Sequence, residues 1–138
     1  MTKQIDPQKY VDFVEAVTSK ESKDYISFNS RCFEIQSGDD GLPVHRLLTA
    51  ALGICAEGGE FTEVVKKIVF QGKPVNEENL FHMKRELGDI MWYMAQACMA
   101  LNTNFNEILE MNVDKLSSRY PDGTFDVHYS ENRKEGDV

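Results

Sequence analysis

Two long runs of apolar residues recur at helical spacing on either side of a Gly-x-Pro stop, and that pattern limits what the chain can become. Between residues 44 and 71 the run is Leu47, Ala51, Ile54, Phe61, Val65, Ile68 and Val69. Between residues 77 and 101 it is Leu80, Met83, Leu87, Ile90, Met91, Met94, Cys98 and Leu101. At about 3.6 residues per turn each set falls in one stripe along a helix, and such a stripe has to be covered by other helices. No strand-like alternation survives a count, so the expected class is all-α: an antiparallel helical bundle of about four main helices with an irregular C-terminal tail. Gly72 and Pro74 stop the first long helix, and Asn76 caps the second. Asp6-Pro7 opens an N-terminal helix carrying Tyr10, Phe13, Val14 and Val17 and ending near Lys20. Asn104-x-x-Glu107 opens a further helix that runs to about Ser118. Residues 21–42, which include most of the turn-rich SGDDGLP, read as a long, partly ordered connection. Nothing divides the chain, so a single domain over residues 1–138 is expected, with its core at about 44–119 and a tail at 120–138.

Charge and cysteine usage narrow the function classes. Of 138 residues, 15 are Lys or Arg and 23 are Asp or Glu, a net charge of −8. That balance disfavours nucleic-acid binding, which draws its affinity from cations on phosphates. No run of 18 apolar residues exists to cross a membrane, and the opening MTKQIDPQKY lacks a signal-peptide stretch. Cys32, Cys55 and Cys98 are odd in number and not spaced C-x-x-C, which points to reduced thiols and a cytoplasmic location. A small anionic substrate fits such a chain only if a metal offsets the repulsion.

The acids themselves supply a place for one. Glu57 and Glu60 lie with Val64 on the shoulder of the first apolar stripe, and Lys67 lies on the same side. Glu86 and Asp89 lie with His82 and Tyr93 on the shoulder of the second. With 23 acids in 138 positions, roughly four acidic i,i+3 pairs arise by chance, so either pair alone means little. These two flank core stripes, and glycines crowd both: Gly58 and Gly59 by the first, Gly88 by the second. Each mid-helix glycine costs about 1 kcal/mol against alanine and admits a close approach by a backbone, a metal or a ligand. If the helices pair antiparallel, four carboxylates face one small volume and need a cation among them. An oxygen-only set suits Mg²⁺ or Mn²⁺, and such ions commonly serve phosphate chemistry. A di-iron bundle would need Glu-x-x-His pairs, and none of the three histidines has Glu three residues before it.

Three segments, HRLLTAALGICAEGGEFTEVVKKIVFQGKPVNEENL, KRELGDIMWYMAQ and EMNVDKLSSRYPDGTF, together resemble the MazG-like all-α nucleoside triphosphate pyrophosphohydrolases of the compact stand-alone type. The likeness covers residues 44–125, with an Asn132-Arg133 echo in the tail. The family pattern E-x-x-E followed by E-x-x-D is met by Glu57, Glu60, Glu86 and Asp89, and N-x-x-K-x-x-x-R-Y-P by Asn112, Lys115 and Arg119 with the residues after it.

The resemblance implies Mg²⁺-dependent cleavage of an NTP or dNTP between the α and β phosphates, in nucleotide-pool housekeeping. It makes the four carboxylates metal ligands and catalytic groups, and gives Glu63 an assisting role toward the metal site or the attacking water. Lys67, Lys115 and Arg119 are expected on phosphate, Asn112 on phosphate or sugar, and Tyr93 at the sugar or base. A homodimer or homotetramer is expected, since the apolar arcs are wide for so short a chain. The alternative is a non-catalytic acidic helical module that binds a partner protein on the same scaffold.

Overall fold

The structure is a computed structural model describing residues 6–132. All its regular elements are helices, and the described residues contain no strand. The chain divides into two compact units, Met1–Val44 and His45–Val138.

In the first unit, α1 spans Pro7–Val17, with Asp6 as N-cap accepting from the Gln8 amide and Pro7 at the first helical position. Two further helices, α2 (Lys20–Lys23) and α3 (Tyr25–Ser37), pack on each other. The expected loose connection over 21–42 is therefore mostly helix. Asp24 is the reason, because its carboxylate takes both the amide and the hydroxyl of Ser27 and so starts a 13-residue helix. Gly41 ends the segment by donating its amide to the Gly38 carbonyl at 2.9 Å. No residue of these three helices is buried.

The second unit holds the two long helices. They are α4 (Val44–Gln71) and α5 (Glu77–Ala100), followed by α6 (Phe105–Arg119) and the one-turn α7 (Val127–Glu131). α4 runs unbroken through Gly58 and Gly59 and ends at Gly72, whose φ of +70° is the left-handed stop that glycine adopts without strain. Asn76 caps α5 and Asn104 caps α6, each accepting the amide three residues on. Asn79 is buried at the turn, where its side chain donates to the Pro74 carbonyl at 2.7 Å. Between α5 and α6, Asn102 takes φ of 52° and Thr103 donates back to the Cys98 carbonyl.

α4 and α5 form an antiparallel hairpin whose register is set by its contacts. Arg46 donates to the sulfur of Met99, Gly53 lies against Tyr93, and Glu57 and Glu60 meet Asp89 and Glu86. Each step down α4 is matched by a step up α5. The seam therefore brings Gly53, Glu57 and Glu60 to His82, Glu86, Asp89 and Tyr93. The acidic shoulders meet along it, and Ile54, Phe61, Ile68, Met83, Ile90 and Met94 of the apolar stripes are half-buried. Gly53 and Glu86 in the seam are buried, as is Val64 on α4. Much of the stripe assigned to the core is open in the single chain: Val69 is 62% exposed, Leu87 49% and Met91 57%. Among the described residues, Ala50, Val64 and Ala100 are the buried apolar ones.

Candidate metal centre

Because Glu57 and Glu60 are almost one turn apart, as are Glu86 and Asp89, an antiparallel pairing brings all four to one stretch of the seam. Oxygens of Glu57, Glu86 and Asp89 lie within 4.8 Å of one another. A second set, Glu60, His82 and Glu86, is equally close, so Glu86 belongs to both. Glu86 is also the most enclosed of the group, with 7% of its side chain exposed, while Glu60 and Asp89 reach solvent. His82 Nε2 lies 2.9 Å from Glu86 Oε1, within hydrogen-bonding distance.

The electrostatics are those of a crowded acid site. Partial burial lifts the Glu57 carboxyl above its ordinary range, the charges of Glu60 and Asp89 push the same way, and so does a hydrogen bond with Glu86. Each of these causes disfavours the ionised form of Glu57, and a divalent cation among the carboxylates would relieve them. A buried carboxylate surrounded by three others is a donor set that fits a hard divalent ion, with Glu57, Glu60, Glu86 and Asp89 as the oxygens to hold it. The glycines divide into two kinds. A Cβ on Gly58, Gly59 or Gly88 would meet nothing within 4 Å, so no other part of the chain approaches there. Gly53 is the glycine that permits close approach, since a Cβ there would overlap the Tyr93 ring.

Residues 46–124 match the family model of the MazG nucleotide pyrophosphohydrolase domain. The chain belongs to this family. The MazG match contains both carboxylate pairs, nearly all of α4, and the whole of α5 and α6. The chain is also 35% identical over 77 residues to the Gene 37 protein of Mycobacterium phage L5, an alignment covering 55% of this chain and 68% of the phage protein. No solved structure gives a significant match. No described helix is long and apolar enough to cross a membrane.

Around the MazG cluster the remaining candidates fall in three places. Glu63 and Lys67 pair with each other on α4 at 2.8 Å, and the lysine's hydrogen bond and charge hold the Glu63 carboxyl below its ordinary range. Tyr93 lies in the seam against Gly53, edge-on to Trp92 with ring centroids 4.9 Å apart. Asn112, Lys115 and Arg119 stand on α6, the first two exposed and Arg119 half-buried. Asn132 bonds back to the His128 carbonyl, and Arg133 lies outside the described residues. His82 joins the cluster although the sequence patterns assign it no role there; its signal is the i,i+4 spacing to Glu86, one residue longer than that of a Glu-x-x-His pair.

Proposed function

We propose that the protein hydrolyses nucleoside triphosphates, ribo or deoxy, to the monophosphate and pyrophosphate, and that it needs Mg²⁺, with Mn²⁺ as the alternative ion. The observation that carries this reading is the convergence of Glu57, Glu60, Glu86 and Asp89 on one seam of a MazG domain, with Glu86 buried among them. These four residues hold the metal, which when bound offsets charge on the phosphate oxygens and makes a coordinated water more acidic. Water adds to one of the two phosphorus atoms flanking the α–β bridge as the bridging P–O bond breaks, and the water's proton passes to a carboxylate. Glu63 assists from the flank of the cluster and holds the Lys67 ammonium near it. Lys67, Lys115 and Arg119 take phosphate oxygens, Asn112 a phosphate or the sugar, and Tyr93 the sugar or base. This is pool housekeeping in the cytoplasm.

The working form in this proposal is a homodimer or homotetramer. The open stripes of α4 and α5 support it: covering one large apolar side chain is worth about 1.5–3 kcal/mol, and a single chain leaves many uncovered. Pyrophosphate release from the eight common nucleoside triphosphates, with Mg²⁺ and with chelator, tests the activity. No release from any of the eight would sink the hydrolase reading.

A further inference from the structure

The acid cluster is not made of oxygen donors alone. His82 sits one turn before Glu86 on α5, on the seam face, and its Nε2 lies 2.9 Å from Glu86 Oε1. With Glu60 from α4 the three form a donor set of their own, beside the set of Glu57, Glu86 and Asp89. Glu86 is common to both, and a carboxylate has two oxygens, so it can serve one position with each. The separation of His82 Nε2 and Glu86 Oε1 is that of an ordinary hydrogen bond, and it is also compatible with two neighbouring ligands of an octahedral ion, which at about 2.1 Å from the ion stand about 3.0 Å apart. Glu60 is exposed and the His82 side chain is 46% exposed, so this half of the seam opens to solvent and leaves room for further ligands.

We propose that His82, Glu60 and Glu86 form a second cation position in which the imidazole is a direct ligand, and that its nitrogen turns this position toward divalent transition ions in preference to Mg²⁺. The inference rests on the metal-site reading above and adds a residue and a selectivity to it. Magnesium prefers oxygen and gives up its waters reluctantly, whereas imidazole suits the softer first-row ions. The competing role for His82 is that of a hydrogen-bond partner that only positions Glu86. That role needs a donor at this place and not an imidazole.

His82→Gln separates the two, because glutamine keeps an N–H donor and loses the ring nitrogen; His82→Asn is the second variant. The probes are Mn²⁺, Co²⁺ and Mg²⁺, each alone without nucleotide, on the full chain. Calorimetry gives affinity and stoichiometry, and pulsed electron-spin resonance of bound Mn²⁺ reports a directly coordinated nitrogen. The expected result is a nitrogen coupling in the wild type that both variants lose. Co²⁺ affinity should fall ten- to hundredfold in the variants, with Mg²⁺ affinity changed less than about threefold. A wild type without nitrogen coupling, or variants that lose Mg²⁺ and Co²⁺ affinity by one common factor, would overturn the ligand role and leave the positioning role. Failure of the wild type to bind any of the three ions, or binding unaffected by Glu86→Gln, would overturn the underlying metal-site reading and this proposal with it.

Discussion

Gly53 on α4 lies against the ring of Tyr93 on α5 with no space between them for a Cβ atom. One turn nearer the connecting turn on each helix stand Glu57 and Asp89, so this contact sets the spacing at which the carboxylates meet. Gly53→Ala should force the ring aside and cost about 1–3 kcal/mol, read as a lowered melting temperature. Tyr93→Ala should cost stability by itself, yet the double variant should be much less than additive, since the overlap is gone. Strict additivity in that cycle would show that the ring does not set the seam.

Neutralising one acid of the cluster should separate activity from stability. Glu60→Gln or Asp89→Asn should lower hydrolysis at least about a hundredfold while leaving the metal-free fold as stable as before or more so. Mg²⁺ at a hundredfold excess over its dissociation constant should stabilise the wild type by about 2.7 kcal/mol and the variants much less. Equal Mg²⁺ shifts in calorimetric melts of all three proteins would contradict the metal role.

Two acids on α4 should give opposite pH dependences. The folded state raises the Glu57 pKa above its ordinary 4.5, so the metal-free fold loses stability as pH climbs through 4.5 and the carboxyl ionises among its neighbours. The folded state lowers the Glu63 pKa, so the stability from its pair with Lys67 is present above 4.5 and is lost as pH falls below it. Denaturant melts in chelator from pH 3 to about pH 7 should show Glu57→Gln flattening the upper part of the profile and Glu63→Gln the lower. A Glu57→Gln profile parallel to wild type throughout would refute the first assignment.

Lys115→Ala and Arg119→Ala should each reduce kcat/KM by about tenfold to a thousandfold with the fold intact by circular dichroism. They lie one turn apart on α6, where two cations can meet one polyanion. Wild-type kcat/KM in both variants would remove phosphate from their role.

Light scattering should return at least twice the chain mass of 15.8 kDa at micromolar concentration. Leu87→Glu or Met91→Glu, each placing a charge on the open stripe of α5, should shift the protein toward the single-chain mass or out of solution. A wild type of single-chain mass would leave the stripe without a partner copy.

The bounds of the long helices were legible because their signals are local. Gly72, Pro74, Asn76 and Asn104 act on the backbone within a few residues, and α4 spans the expected residues 44–71. The packing was legible only in part. Periodicity says which residues share a side of a helix but not how closely two helices approach, and the meeting of the acidic shoulders depends on Gly53, which lets the Tyr93 ring of α5 come close. α3 was missed for a related reason: Tyr25, Ile26, Phe28, Phe33 and Ile35 do not form one clean stripe, and only the Asp24 cap announced a helix. His82 escaped because a lone histidine carries no pattern until its partner's position is known.

The carboxylates also lie in the path by which the hairpin must close. α4 and α5 are joined by the short turn at residues 72–76, so contacts near the turn form at smaller loop-closure cost than the Arg46–Met99 contact, 53 residues apart. Zipping outward from the turn brings Glu60 to Glu86 and then Glu57 to Asp89 before Gly53 can seat under Tyr93. Like charges then meet ahead of the packing that would hold them, which raises the barrier and not only the energy of the folded state. Refolding without divalent ions should therefore quicken as monovalent salt shortens the screening length from about 30 Å at 0.01 M to about 3 Å at 1 M, and stopped-flow refolding of Glu60→Gln should show a weaker salt acceleration.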